Sequence, residues 1–157
     1  MKKVNIINNL QLIHSYGIKT WVNFMLAAPE STLEDDLKSI DIAYRGKVDY
    51  TAYSTTTPVK GTMLYNYSLS KNLIDETYVG DMFDCYKKSP YNCFTKQDKN
   101  IRYNIYLLGA IAAKLPPSLR WLILLIIKKI KPNGLFEMIY ATYIKYVREN
   151  IIYKLKN

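Results

Sequence analysis

The sequence predicts an α/β fold, with two parallel strands carried between helices and an all-α region after them. Three observations predict it. Trp21 to Asp36, WVNFMLAAPESTLEDD, passes from an apolar run of strand length into an acidic helix start. Val48 to Thr57, VDYTAYSTTT, is rich in β-branched and aromatic residues and is halted by Pro58, which cannot donate to a ladder. After residue 80 the apolar residues recur at helical spacing, and the charge goes from balanced to strongly basic. Residues 1–80 hold 8 Lys/Arg and 8 Asp/Glu, whereas residues 81–157 hold 14 and 5, which is the whole formal charge of +9.

Taken in order, Val4 to Tyr16 sets Val4, Ile7, Leu10 and Ile13 on one helical face, and Gly17 with Ile18 reads as a left-handed stop followed by an apolar residue. His14, the only histidine, falls in the last turn, where packing accounts for it. The strand at Trp21 reads as buried, with Val22, Phe24, Met25 and Leu26. It feeds a helix through Ala27-Ala28-Pro29, with Ser31 and Glu34 as a capping box. That helix runs from Thr32 to about Tyr44, buries Leu33, Leu37, Ile40 and Ala43, and ends at Gly46. After the second strand, Lys60-Gly61-Thr62 turns into a helix over Met63 to Lys71. Helix, strand, helix, strand with short turns is the pattern of parallel βαβ units with right-handed crossovers.

The later region reads as helices throughout. Asp75 to Lys88 is expected as a helix, Ser89 to Asn92 as a turn, and Thr95 as the cap of a helix through Ala113 with Ile101, Ile105, Leu108 and Ala112 on one face. Pro116-Pro117 stop it. Ser118 is expected to cap LRWLILLIIKKIK, and a last helix from Gly134 to Lys154 follows. The uncharged core Trp121 to Ile127 falls far short of the ~20 apolar residues that cross a bilayer. The domain expectation is thus residues 1–74 and residues 75–157. With 157 residues and 49% hydrophobic content, the chain can bury one domain-sized core. Cys85 and Cys93 have no histidine nearby and read as free thiols of a reducing cytoplasm; no signal peptide is read at Met1-Lys2-Lys3.

Several pieces, in joint order and spacing over residues 5–75, resemble a known family. These are Gly17-Ile18, Phe24-Met25, Ala27, Pro29, Ser31-Thr32-Leu33-Glu34-Asp35, Asp49-Tyr50, Thr57-Pro58, Gly61-Thr62 and Leu64-Tyr65. Together they resemble the C-terminal half of a radical SAM barrel, in the branch that carries a cobalamin-binding domain upstream. The resemblance implies the last strands of a partial (β/α) barrel that binds S-adenosylmethionine at its C-terminal mouth. In such proteins a [4Fe–4S] cluster reduces and cleaves the sulfonium, releasing a deoxyadenosyl radical that abstracts hydrogen from the substrate.

By this resemblance the cofactor-binding positions are Asn23, Met25, Ala27 and Glu30, on the motif glycine, apolar, glycine, glutamate, together with Thr57 at the mouth. Met25 would pack on adenine. Asn23 and Ala27 stand where the motif has glycines, and each Cβ narrows the site. The family's C-x3-C-x2-C triplet, which ligates three irons, is absent from the sequence. The expectation is therefore a fragment of a longer enzyme, a truncation, split product or remnant, whose partner is the missing N-terminal half of the barrel. No catalytic residue and no metal ligand is assigned to it.

The competing expectation is a non-enzymatic, membrane-peripheral or partner-binding helical protein. Lys128, Lys129 and Lys131 close an apolar helix bearing Trp121, as in segments that meet an anionic membrane surface or a lipid-like substrate. Nucleic acid is not expected, because the lysines flank apolar helices and form no stripe interleaved with aromatics. Location is expected to be cytoplasmic, with peripheral membrane attachment under the second reading.

Overall fold

A computed structural model describes residues 5–147 and residue 149. It is mixed α/β. Six helices and two strands follow in the order α1 (Ile6–Ser15), β1 (Trp21–Leu26), α2 (Leu33–Arg45), β2 (Tyr50–Thr55), α3 (Met63–Ser70), α4 (Lys96–Ala112), α5 (Pro117–Lys129) and α6 (Gly134–Val147). The strands pair in parallel, Trp21 opposite Tyr50 through Leu26 opposite Thr55, and α2 makes the crossover.

Local chemistry sets each boundary. Asn5 caps α1 through the Asn8 N–H, and Gly17 follows it at φ +72°, a conformation with almost no cost to glycine. Thr95 caps α4 with Asp98 closing the reciprocal box. Two expected caps are displaced by one or two residues. The box that starts α2 is Thr32 with Asp35, not Ser31 with Glu34, because the Ser31 N–H is already donated to the Ala28 carbonyl in the preceding turn. Helix α5 is started by Pro116 and Pro117 without any side-chain cap, so Ser118 is not its cap. Proline at the first helical position lacks only an N–H that had no partner there.

Two expectations are corrected outright. β1 is not buried on both sides: Trp21 and Met25 are 60% and 62% exposed, while Val22, Phe24 and Leu26 face the helices. Asp75 to Lys88 is not a helix either. It forms turns, a lone parallel bridge between Val59 and Gly80, and one short 3-10 turn over Met82–Tyr86. Asp75 accepts from the Thr77 N–H, and the Tyr78 carbonyl accepts from the Tyr65 hydroxyl, which spends local backbone groups outside any helix. The expected last helix is found over Gly134–Val147, and its extension to Lys154 lies outside the described residues.

The main core lies between the sheet and α4. Leu26, Ile40, Tyr53, Ile105, Leu108, Ile127 and Phe136 meet there, so residues from both sides of position 74 share it. Helix α4 is buried nearly all round, since β2, α2, α5 and α6 each pack on it. Gly109 permits the approach: a Cβ at this position would lie 2.8 Å from the Tyr53 ring. A buried ion pair ties the layers, with Arg102 Nε donating to Asp36 Oδ2. Among the described residues no helix is long and apolar enough to cross a membrane.

Candidate functional site

The parallel register turns six side chains to the side of the sheet opposite Val22, Phe24 and Leu26: Trp21, Asn23 and Met25 from β1, and Tyr50, Ala52 and Ser54 from β2, with Tyr50 stacked on Tyr143 of α6. Trp21 stands edge-on to Tyr50, with centroids 4.4 Å apart, and Asn23 Nδ2 donates to Ser54 Oγ at 3.2 Å. A cavity of about 620 Å³ opens over this face, walled on its far side by Tyr86, Tyr106 and Tyr140. Two of the expected binding residues, Asn23 and Met25, are thus brought together on an open sheet face.

The other three lie beyond the strand ends. Ala27 is fully buried at φ +57°, and its N–H donates to Asp36 Oδ2 at 3.2 Å. Glu30 also has a left-handed backbone, φ +68°, and its exposed carboxylate accepts from the Tyr67 hydroxyl at 2.6 Å. That bond, then partial burial, raises the Tyr67 pKa. Thr57 is half-buried and turned back on its own chain, Oγ1 donating to the Thr55 carbonyl at 3.3 Å. The Thr56 N–H, by contrast, donates to the Leu26 carbonyl and extends the ladder one step past β2.

Behind the Ala27 to Glu30 turn sits the Asp36–Arg102 pair. Arg102 Nη2 donates to the Ser31 carbonyl at 3.2 Å, and its guanidinium lies 3.9 Å from the Phe94 ring centroid. Burial raises the Asp36 pKa, while Arg102 and the Ala27 N–H pull it down without cancelling the effect. The pair therefore fixes the turn from behind, and the sheet face in front stays open. Asp36 and Arg102 escaped sequence reading because they are 66 residues apart and each reads as one more charge on a solvated helix.

Among the described residues no Asp, Glu, Lys, Arg or His lines the cavity. Burial raises the pKa of Tyr50, Tyr106 and Tyr140, so all three phenols stay neutral near pH 7. Cys85, also in the wall, has its thiol pKa raised chiefly by burial, which favours the protonated thiol. Aromatic faces, hydroxyls and one amide can hold an apolar or planar molecule. Comparison with protein-family models, curated proteins and solved structures finds no match to the chain.

Proposed function

We propose that the chain supplies the later strands of a partial (β/α) barrel of the radical SAM type. Its own part is to receive the adenosyl portion of S-adenosylmethionine on the open sheet face. The observation that carries this reading is the backbone at Ala27. The family motif has glycine there, and φ +57° is the region where glycine is favoured and a Cβ costs about 1–2 kcal/mol. Two features agree with it: among the described residues β1 has no second neighbour in the sheet, and Met25 is exposed on the face that a closed barrel turns inward.

In this reading Met25 packs on adenine, Asn23 and Ser54 offer an amide and a hydroxyl, and Thr57 and Glu30 border the mouth. A thioether suits an irregular aromatic contact. Bound S-adenosylmethionine brings hydrogen-atom abstraction once a [4Fe–4S] cluster reduces it. The residues of this chain do not fit such a cluster: Cys85 and Cys93 are its only cysteines, and no group of three metal-ligating side chains occurs among the described residues. Catalysis in this reading belongs to the assembled barrel with a cluster-bearing segment, and cobalamin, where the branch uses it, to a domain upstream.

Equilibrium dialysis against S-adenosylmethionine tests the reading. The wild-type chain should bind weakly, the Asn23→Gly, Ala27→Gly variant several-fold tighter, and Met25→Asp not at all, with adenosine competing. If removing the two Cβ atoms leaves affinity unchanged in a variant of unchanged far-UV dichroism, the adenosyl assignment fails.

A further inference from the structure

The outer face of α5 is a second, separate feature. Helices in a single layer on a core normally turn one apolar stripe inward and a polar one outward. Helix α5 does the first, seating Ile123, Leu124 and Ile127 on the core, but its opposite stripe is apolar too. Trp121, Leu122 and Leu125 are 57%, 50% and 43% exposed. One turn further, the same stripe reaches Lys128 and Lys129. These join Lys131 and Lys96 around a groove of about 380 Å³, with Asn100 in its wall and half-exposed Ile130 at its edge. None of the four ammonium groups is ion-paired among the described residues.

We propose that this surface docks on an anionic phospholipid bilayer, with α5 lying in the interfacial plane, Trp121, Leu122 and Leu125 entering the acyl boundary and the lysine groove holding lipid phosphates. Charge selects this occupant. Four unpaired like charges in one groove repel one another and are relieved by a negative surface, whereas a second copy of the chain would bring the same lysines against them. Geometry removes the other occupant, a missing barrel segment. Such a segment joins the free edge of β1, while α5 packs on α4, which itself packs on β2. Exposed Trp and Leu side chains beside unpaired lysines supply the two contributions to interfacial binding, buried apolar area and attraction to anionic lipid.

The test uses the whole chain with vesicles of phosphatidylcholine containing phosphatidylglycerol, and of phosphatidylcholine alone. The chain has two tryptophans, so a Trp21→Phe variant excited at the red edge, where tyrosine does not absorb, reports Trp121 alone. It should float with the anionic vesicles, release as salt rises, and shift its Trp121 emission to the blue. Lys128→Ser, Lys129→Ser, Lys131→Ser together should weaken partitioning about 100-fold, from a factor of about five for each lysine near such a surface. Equal binding to neutral vesicles, binding without the emission shift, or no binding at all overturns the proposal. So does a vesicle-free dimer that Trp121→Ser dissolves. Neither result bears on S-adenosylmethionine affinity, so this proposal and the barrel reading fail separately.

Discussion

Arg102→Leu is expected to be among the most damaging substitutions outside the apolar core. In the wild type the guanidinium is 2% exposed and serves three neighbours at once: the Asp36 carboxylate, the Ser31 carbonyl and the Phe94 ring. Leucine fills much of the volume but leaves Asp36, 5% exposed, with the Ala27 N–H as its one remaining partner in this group. Removing one member of a buried pair costs about 3–5 kcal/mol, because the other charge is left desolvated. Asp36→Leu alone should cost a similar amount, since it strands the guanidinium. Asp36→Leu with Arg102→Leu should lose only about 1–2 kcal/mol, because neither charge is then buried. Urea titrations followed by far-UV dichroism give the cycle. The sign of its pH dependence is fixed as well. With Arg102 gone, the folded-state pKa of Asp36 rises further above its unfolded value of 3.8, so the variant's deficit is small in acid and grows as pH rises through the folded pKa. Single substitutions costing under about 1 kcal/mol, or a cycle additive within about 0.5 kcal/mol, would refute the description of this pair as buried and coupled.

Gly109→Ala should destabilise by about 1–2 kcal/mol even though alanine favours helix, because its Cβ meets the Tyr53 ring 2.8 Å away; a gain in denaturation midpoint would show that α4 does not approach β2 this closely. Burial alone would raise the Asp49 pKa, but hydrogen bonds from Lys19 and the Thr20 N–H outweigh it and the net shift is downward. Stability from Asp49 is thus present above its unfolded pKa near 3.8 and is lost as pH falls through the lower folded value; Asp49→Asn should cost about 1–2 kcal/mol at pH 7 and flatten that acid limb in thermal melts. Anaerobic reconstitution with iron and sulfide should leave the chain without broad visible absorption, and S-adenosylmethionine with reductant should yield no deoxyadenosine. A stoichiometric cluster that disappears in Cys85→Ser, Cys93→Ser would make those cysteines ligands and sink the cluster-free reading.

The parallel βαβ unit was legible because its signals are local. An apolar run of strand length, a threonine or glycine at each helix end and a Pro after β2 each act within a few residues. The misplaced caps show where such signals compete: S-x-x-E and T-x-x-D overlap by one residue at Ser31 and Thr32, and only the hydrogen bond from the Ser31 N–H to Ala28 decides between them. Asp75 to Lys88 carried helical spacing, yet Tyr78 and Gly80 are used by α3 and by Val59, contacts that no local window contains. The exposure of Trp21 and Met25 was hidden for a related reason. Alternation in β1 is apolar on both sides, so periodicity cannot say which side meets the helices. Of the five expected binding residues, the sequence alone grouped all by resemblance; the fold unites Asn23 and Met25 on one face and sets Ala27, Glu30 and Thr57 around the strand ends.

Asn104, fully buried in the middle of α4, donates Nδ2 to both the Ile127 and the Ile130 carbonyls. The last carbonyls of a helix lack partners in a following turn, Asn104 supplies donors to two of them, and Pro132 has no N–H with which to continue. The end of α5 at Lys129 is therefore held twice, by Pro132 in its own chain and by an amide that the neighbouring α4 carries. Were α5 to run on by a single residue, Lys131 would swing by about 100° around the axis, the angular step of an α-helix. The compass bearing of that surface charge thus depends in part on position 104, inside the protein and far from the charge in sequence.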